Sequence, residues 1–412
     1  MRILLTPSDW SSRYFPLVPL AWACRAAGHE VRVAGQPSII KEIISSGLPV
    51  VPLPDSYDDM ETAARLYQEG QRNLKGKTPT SLAEFRQLPP EVFRQFSELK
   101  FDPHIRAAEA MAGDLVAFVR DWRPDLIVTD PFVLAAPLAA RVVHAPLVRC
   151  LSGLDVTRLL GFPGTGVSPE MWPQSLRRLY LRYGVKEQDD YAVRTVDLCP
   201  ASMQVSRVPN RIPARYVPYS AASVMPDWLA RSSGRPRVCV SWSVPTSHLP
   251  GPRGFAVSKT LSALADLDVE VIVSVKSQSR HREMLGAIPE NVRVVEQIPH
   301  YLLAQECDVI VHSGGSAITF TAASYGVPQV VIVLFPDQGL TAERLAATGA
   351  GISLEVDHLD VNDIEKAVSM SLSDDAPRRA ARRLGAEILA QPAPAEIVGE
   401  LETVGDEISL VA

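Results

Sequence analysis

The sequence predicts an α/β protein built as two Rossmann-like domains that face each other across a cleft. Three observations predict it. Short apolar runs alternate with amphipathic runs of helix length, the order that helix-covered parallel sheets require. The alternation stops in an extended, proline-bearing stretch, 205–226, and then restarts. At 412 residues, the chain is also longer than one ordinary core sustains.

The elements follow in order. Residues 2–5 read as a buried strand and 17–27 as a helix ended by Gly28. A strand at 30–34, a helix at 39–46 stopped by Gly47 and a strand at 50–52 come next. From 55 to about 103 the periodicity weakens into polar, proline-bearing sequence, too long for a plain connector. Ile105, Ala108, Met111, Leu115, Phe118 and Trp122 then recur at three- and four-residue steps, an amphipathic helix. A strand at 126–129 ends at Asp130-Pro131, and 151–200 reads as irregular. In the second half, strands are expected at 238–241, 269–275, 292–295, 309–311 and 330–334. Helices are expected around 259–264, 342–348 and 364–371. The expected division is a domain over 1–215, a linker over 216–236, a domain over 237–390, and a C-terminal segment, 391–412, packing back on the first domain.

Composition narrows the function. Lys and Arg number 41 against 47 Asp and Glu, a net charge of −6 with no basic stripe, which argues against a nucleic-acid surface. The five cysteines, Cys24, Cys150, Cys199, Cys239 and Cys307, are scattered and lack metal-ligand spacing. They read as reduced, buried small hydrophobes in a cytoplasmic protein. No stretch reaches the roughly 18 apolar residues of a membrane helix, and the opening apolar run is too short for a signal peptide.

The most informative stretch is 309–320, Val-Ile-Val-His-Ser-Gly-Gly-Ser-Ala-Ile-Thr-Phe. A strand ends at His312, Gly314-Gly315 make a tight turn, and a helix begins near Ser316 and Ala317. Unpaired N–H groups and the positive helix end then converge on one spot, an anion site. His312 is expected to donate to a phosphate oxygen there. Asp337-Gln338, past the next apolar run, offer a carboxylate and an amide of the kind that read sugar hydroxyls. Diphosphate plus sugar means a nucleotide sugar. The first strand is followed by Thr6-Pro-Ser-Asp-Trp-Ser-Ser-Arg13 rather than G-x-G-x-x-G, which argues against a dinucleotide oxidoreductase.

These residues, together with Leu17-Val-Pro-Leu-Ala-Trp22, Arg25-Ala-Ala-Gly-His-Glu-Val-Arg-Val33, Trp122-Arg-Pro-Asp-Leu-Ile127, Ser223-Val-Met-Pro-Asp-Trp-Leu229, Arg237-Val-Cys239, Pro289-Glu-Asn-Val-Arg293 and Pro392-Ala-Pro-Ala-Glu-Ile-Val398, run from end to end in order. In this the chain resembles the GT-B glycosyltransferases of antibiotic biosynthesis, notably the erythromycin- and pikromycin-type deoxysugar transferases. The resemblance implies an acceptor-binding first domain, a donor-binding second domain, and an inverting, metal-free transfer from a TDP-sugar to a polyketide-type aglycone. It places the nucleobase at Gln297-Ile298-Pro299, against the Ile298 backbone, and Ser241 and Ser243 under the diphosphate. Asp337 and Gln338 match its sugar-contacting pair. It also implies a helper protein related to haem monooxygenases and leaves a homodimer open.

Two positions depart from the family pattern. The histidine that serves the family as general base is Arg13 here, and a guanidinium stays protonated. The helix-start Ala-Gly-Ser/Thr is Ser316-Ala317-Ile318. A base is therefore expected elsewhere: Asp130, at a strand end facing the cleft, or Asp9, in the first loop. Ser12, Arg13 and Asp155 are the acceptor-side candidates. An acidic acceptor would relax the need for a strong base. The alternative reading is a non-catalytic GT-B-like partner that keeps donor binding without turnover.

Overall fold

The computed structural model describes residues 1–53, 87, 89–220, 223–231, 234–242, 256–275, 285–296, 298–334 and 336–409. Of the expected site residues, Ser243 and the neighbouring Gln297 lie outside them.

Two all-parallel sheets form the framework. The first has seven strands in the order β3-β2-β1-β4-β5-β6-β7. These are β1 (Arg2–Thr6), β2 (Glu30–Gly35), β3 (Val50–Pro52), β4 (Leu126–Thr129), β5 (Leu147–Leu151), β6 (Arg194–Asp197) and β7 (Arg211–Pro213). The second has six, in the order β10-β9-β8-β11-β12-β13. They are β8 (Arg237–Trp242), β9 (Glu270–Val275), β10 (Val292–Glu296), β11 (Val309–His312), β12 (Gln329–Val333) and β13 (Gly351–Glu355). The central strands β4, β8, β11 and β12 are buried at every position, while the edge strands β10 and β13 are not. Burial on both faces explains why the central strands read as continuous apolar runs.

Several elements differ from the sequence expectation. The helix expected to begin after 103 starts at Pro90 and runs to Trp122, with Pro103 inside it. Proline gives up one helical hydrogen bond, and the buried stripe from Ile105 to Trp122 holds the helix across that gap. The stretch read as irregular holds the helix Gln174–Arg182, which buries Leu176, Leu179 and Tyr180, and β6. β7 lies inside the stretch read as extended and proline-bearing. The helix expected at 342–348 begins at Pro336, so Asp337 and Gln338 fall in its first turn rather than before it.

The two sheets share a core. One apolar cluster joins Leu17, Val18 and Ile212 of the first half to Phe320, Leu384 and Leu401 of the second. Polar struts flank it: Ser202 gives its N–H and hydroxyl to Glu387 at 2.9 and 2.6 Å, and Arg344 donates to the Ser202 carbonyl at 2.9 Å. The helix Val398–Ser409 returns to the first sheet's side, where Glu402 pairs with His29 at 2.9 Å. Among the described residues no helix is long and apolar enough to cross a membrane.

Candidate active site

Register brings the chemistry to the carboxyl ends of both sheets. In the first, Thr6 aligns with Thr129, so the segment after β1 and Asp130 after β4 emerge side by side. In the second, His312 aligns with both Ser241 and Val331. These two edges meet. A side chain at Gly153, just past β5, would collide with the Ser316 hydroxyl, so the bare glycine lets the turn after β11 approach the first sheet.

The turn after β11 is built from within. Gly314 has φ +90, and an added Cβ would press on Val331 and Gln338 at 3.0 and 3.1 Å. Its N–H donates to His312 Nδ1 at 2.9 Å. The ring proton therefore sits on Nε2, which donates to Gln329 Oε1 at 2.9 Å, and Gln329 Nε2 donates to the Thr319 carbonyl at 3.2 Å. His312 and Gln329 are wholly buried. Burial lowers the His312 pKa to about 4, so the imidazole is neutral at physiological pH. Here the structure departs from the expectation that His312 presents a proton to a phosphate oxygen: both ring nitrogens are committed to the turn. The imidazole shapes the turn from within.

Gly315 then caps the helix Ser316–Ser324 with no side-chain hydrogen bond to its first N–H groups. Backbone donors and a positive helix end at one spot are what an anion site requires. Tyr216 steadies the same helix, its hydroxyl donating to the Ala317 carbonyl at 3.1 Å and its ring edge-on to Phe320. Ser241, at the end of β8, meets His300 Nε2 at 2.8 Å. Burial lowers the His300 pKa to about 4 as well. Neutral imidazoles leave any attraction for an anion to the backbone dipoles. Ile298 packs its side chain into the core beside Leu303 and Cys239, which leaves only its backbone for a ligand. Gln338 accepts the Leu334 N–H at 3.2 Å, tying the β12 end to the following helix.

On the first sheet, Arg13 lies in the short helix Ser11–Tyr14 with Ser12 exposed beside it, and Asp9 half-buried before it. The Arg13 guanidinium stacks 3.7 Å above the Phe132 ring, and its Nη1 stands 3.9 Å from Asp130 Oδ2. Asp130 is wholly buried; its Oδ1 accepts the Phe132 N–H at 2.9 Å, an Asx-turn, while Oδ2 has no hydrogen-bond partner among the described residues. Burial raises the Asp130 pKa against the opposing pull of Arg13 and the Phe132 N–H. The structure thus joins Arg13 to Asp130. Asp155 is different: it caps the helix Val156–Leu159, accepting from Thr157 and the Arg158 N–H at 2.9 and 3.2 Å.

Sequence reading missed the wall around this pair. Phe132 touches His104 and Phe162 with ring centroids 5.0 and 4.8 Å apart, and Phe101 meets Phe162 at 4.8 Å. The four come from one long helix and two loops, so no local spacing announces them.

Comparison with known proteins agrees with the two-sheet architecture. The family model for the erythromycin biosynthesis protein CIII-like N-terminal domain matches residues 22–243, and that for the C-terminal domain matches 258–404. The tylactone mycaminosyltransferase of Streptomyces fradiae is 34% identical over 98% of this chain and 92% of its own. The 3-alpha-mycarosylerythronolide B desosaminyl transferase of Saccharopolyspora erythraea is 33% identical over 98% of each. Among solved structures, glycosyltransferase VinC in complex with dTDP superposes with a TM-score of 0.79 at 29% identity, covering 99% of this chain and 100% of that one. The spinosyn rhamnosyltransferase SpnG bound to spinosyn aglycone gives 0.76 at 27%, covering 98% and 100%.

Proposed function

The chain belongs to the erythromycin biosynthesis protein CIII-like family of GT-B antibiotic glycosyltransferases, and on that premise we propose that it moves a deoxysugar from a TDP carrier to a polyketide-type aglycone with inversion. Residues 1–215 would bind the acceptor, 237–390 the donor, with 216–236 as linker and 391–412 bracing the first domain. The observation that carries the reading is the meeting of the two carboxyl edges at Gly153 and Ser316: an anion cradle on one side, an Arg13–Asp130 pair on the other.

The diphosphate would sit on the N–H groups of Gly315, Ser316 and Ala317, with the hydroxyls of Ser241 and Ser243 beneath and the Ile298 backbone at the thymine. Asp337 and Gln338 would read the sugar, as the family pattern implies. Displacement at the anomeric carbon needs a nucleophile on the face opposite the leaving diphosphate, and an acceptor held at the first sheet's carboxyl edge would provide it. Asp130 is the proposed base. It is buried, its proton affinity is raised, and Oδ2 keeps an unused lone pair. Arg13 covers it and must swing aside or share the acceptor oxygen. Asp9 is the second carboxylate of this edge; Ser12 would line the acceptor side, which Asp155 would shape by capping the helix Val156–Leu159.

Incubation with a panel of TDP-deoxysugars and polyketide aglycones tests the function. Mass spectrometry should find an aglycone heavier by one anhydrosugar. Tight TDP binding with no product from any pair would instead mark a donor-binding partner without turnover.

A further inference from the structure

Resting on the reading that the Arg13 side of the cleft receives the acceptor, we propose that the acceptor is an acidic hydroxyl, a phenol or the enol of a 1,3-dicarbonyl, whose oxyanion Arg13 holds during transfer.

Arg13 is a permanent cation and cannot remove a proton. Its side chain is 29% exposed, and among the described residues its guanidinium donates no hydrogen bond. Stacking on Phe132 uses the π face and leaves free the in-plane N–H groups that grip an oxyanion. Its counter-charge does not consume it either. Asp130 Oδ2 stands 3.9 Å away, beyond hydrogen-bond reach, and accepts no hydrogen bond among the described residues. An anionic oxygen can therefore join this pair without breaking any bond.

With Asp130 as the base the proton goes to a carboxylate, and that decides the acceptor class. A phenol ionises near 10 and bulk water near 15.7, so an alcohol is harder to ionise by roughly a factor of a million. A single buried carboxylate beside a fixed cation suits the first and is a poor match for the second. The surroundings point the same way. Phe101 and His104 are half-buried rings beside Phe132 and Phe162, an aromatic wall suited to a planar conjugated acceptor.

In the step, the acceptor O–H breaks and its proton passes to Asp130 Oδ2. The oxygen lone pair forms the bond to the sugar's anomeric carbon. The bond from that carbon to the β-phosphate oxygen breaks, and its electron pair leaves with TDP.

The test titrates 7-hydroxycoumarin, whose absorption reports its ionisation, with the full chain saturated in TDP. Bound coumarin should ionise at a pH at least one unit lower than free, and Arg13→Gln should abolish the shift. In parallel, transfer from TDP-6-deoxyglucose should favour 2-naphthol over decalin-2-ol by at least about a hundredfold in kcat/KM. Coumarin that stays neutral or unbound, an unchanged shift in Arg13→Gln, or equal use of the two acceptors overturns the proposal. So does loss of transfer in His104→Ala with retention in Arg13→Gln, which would make the imidazole the base. Calorimetric TDP titration of each protein separates the two levels: no TDP binding by the native chain defeats the transferase reading itself.

Discussion

Replacing Asp130 by Asn removes a charge and keeps a shape. The amide oxygen can still accept the Phe132 N–H now held by Oδ1 at 2.9 Å, so the turn after β4 should survive. What disappears is the negative Oδ2 facing Arg13 at 3.9 Å. If Asp130 takes the acceptor proton, kcat should fall by about 10²–10⁴, equivalent to roughly 2.7–5.5 kcal/mol of barrier. Stability should move the other way or not at all. Burial raises the Asp130 pKa above its ordinary value of 3.8, so folding favours the protonated form. The stability this group contributes is present below the unfolded pKa and is lost as pH rises through the folded one. Asn has no proton to lose, so this pH-dependent loss of stability disappears in the variant. Arg13 is exposed enough to tolerate losing its counter-ion. The assay is kcat at saturating donor, with thermal unfolding at several pH values and TDP affinity in parallel. Turnover should collapse while TDP affinity holds and the melting temperature is level or higher at pH 7. Near-normal turnover in Asp130→Asn, with Arg13→His inactive, would refute the assignment and leave Arg13 as the essential group.

Four further outcomes are expected. His312→Ala strands the buried Gly314 N–H and Gln329 Oε1 and loosens the turn, and calorimetry should show TDP affinity weakened by about 1–3 kcal/mol with the fold intact. Gly314→Ala places a side chain at φ +90 against Val331, at a cost of roughly 1–2 kcal/mol read in chemical denaturation, and should weaken TDP binding too. Asp337→Ala should leave TDP binding unchanged and impair use of TDP-sugar; equal loss of both ligands would make Asp337 purely structural. Co-purification with a haem-monooxygenase-like protein of the same gene cluster should raise turnover; full activity of the isolated chain would remove the helper.

The parts of the fold legible in the sequence were those whose burial is uniform. β4, β8 and β12 stand out because a strand covered on both faces carries an unbroken apolar run. β5 went unread because Arg149 interrupts it. In the fold that side chain is buried and paired with Asp190, 41 residues on, at 2.6 Å. The start of the long helix was hidden by Pro103. The site divides along the same line. The turn after β11 is a local pattern of strand, glycines and helix, and that geometry appears where expected. Which way His312 faces is not local, since Gln329 at the start of β12 captures its Nε2. The pairing of Arg13 with Asp130, and the ring contacts of His104, depend on register between distant strands and on loop packing.

The central claim is that one cleft between two sheets couples TDP release to inverted sugar transfer. The direct measurement is a single reaction in which TDP is quantified by chromatography and the glycoside's anomeric configuration is read by NMR. One TDP released per glycoside, with the configuration opposite to that of the donor, is the predicted result. TDP released without glycoside, or a glycoside that retains the donor's configuration, would contradict it.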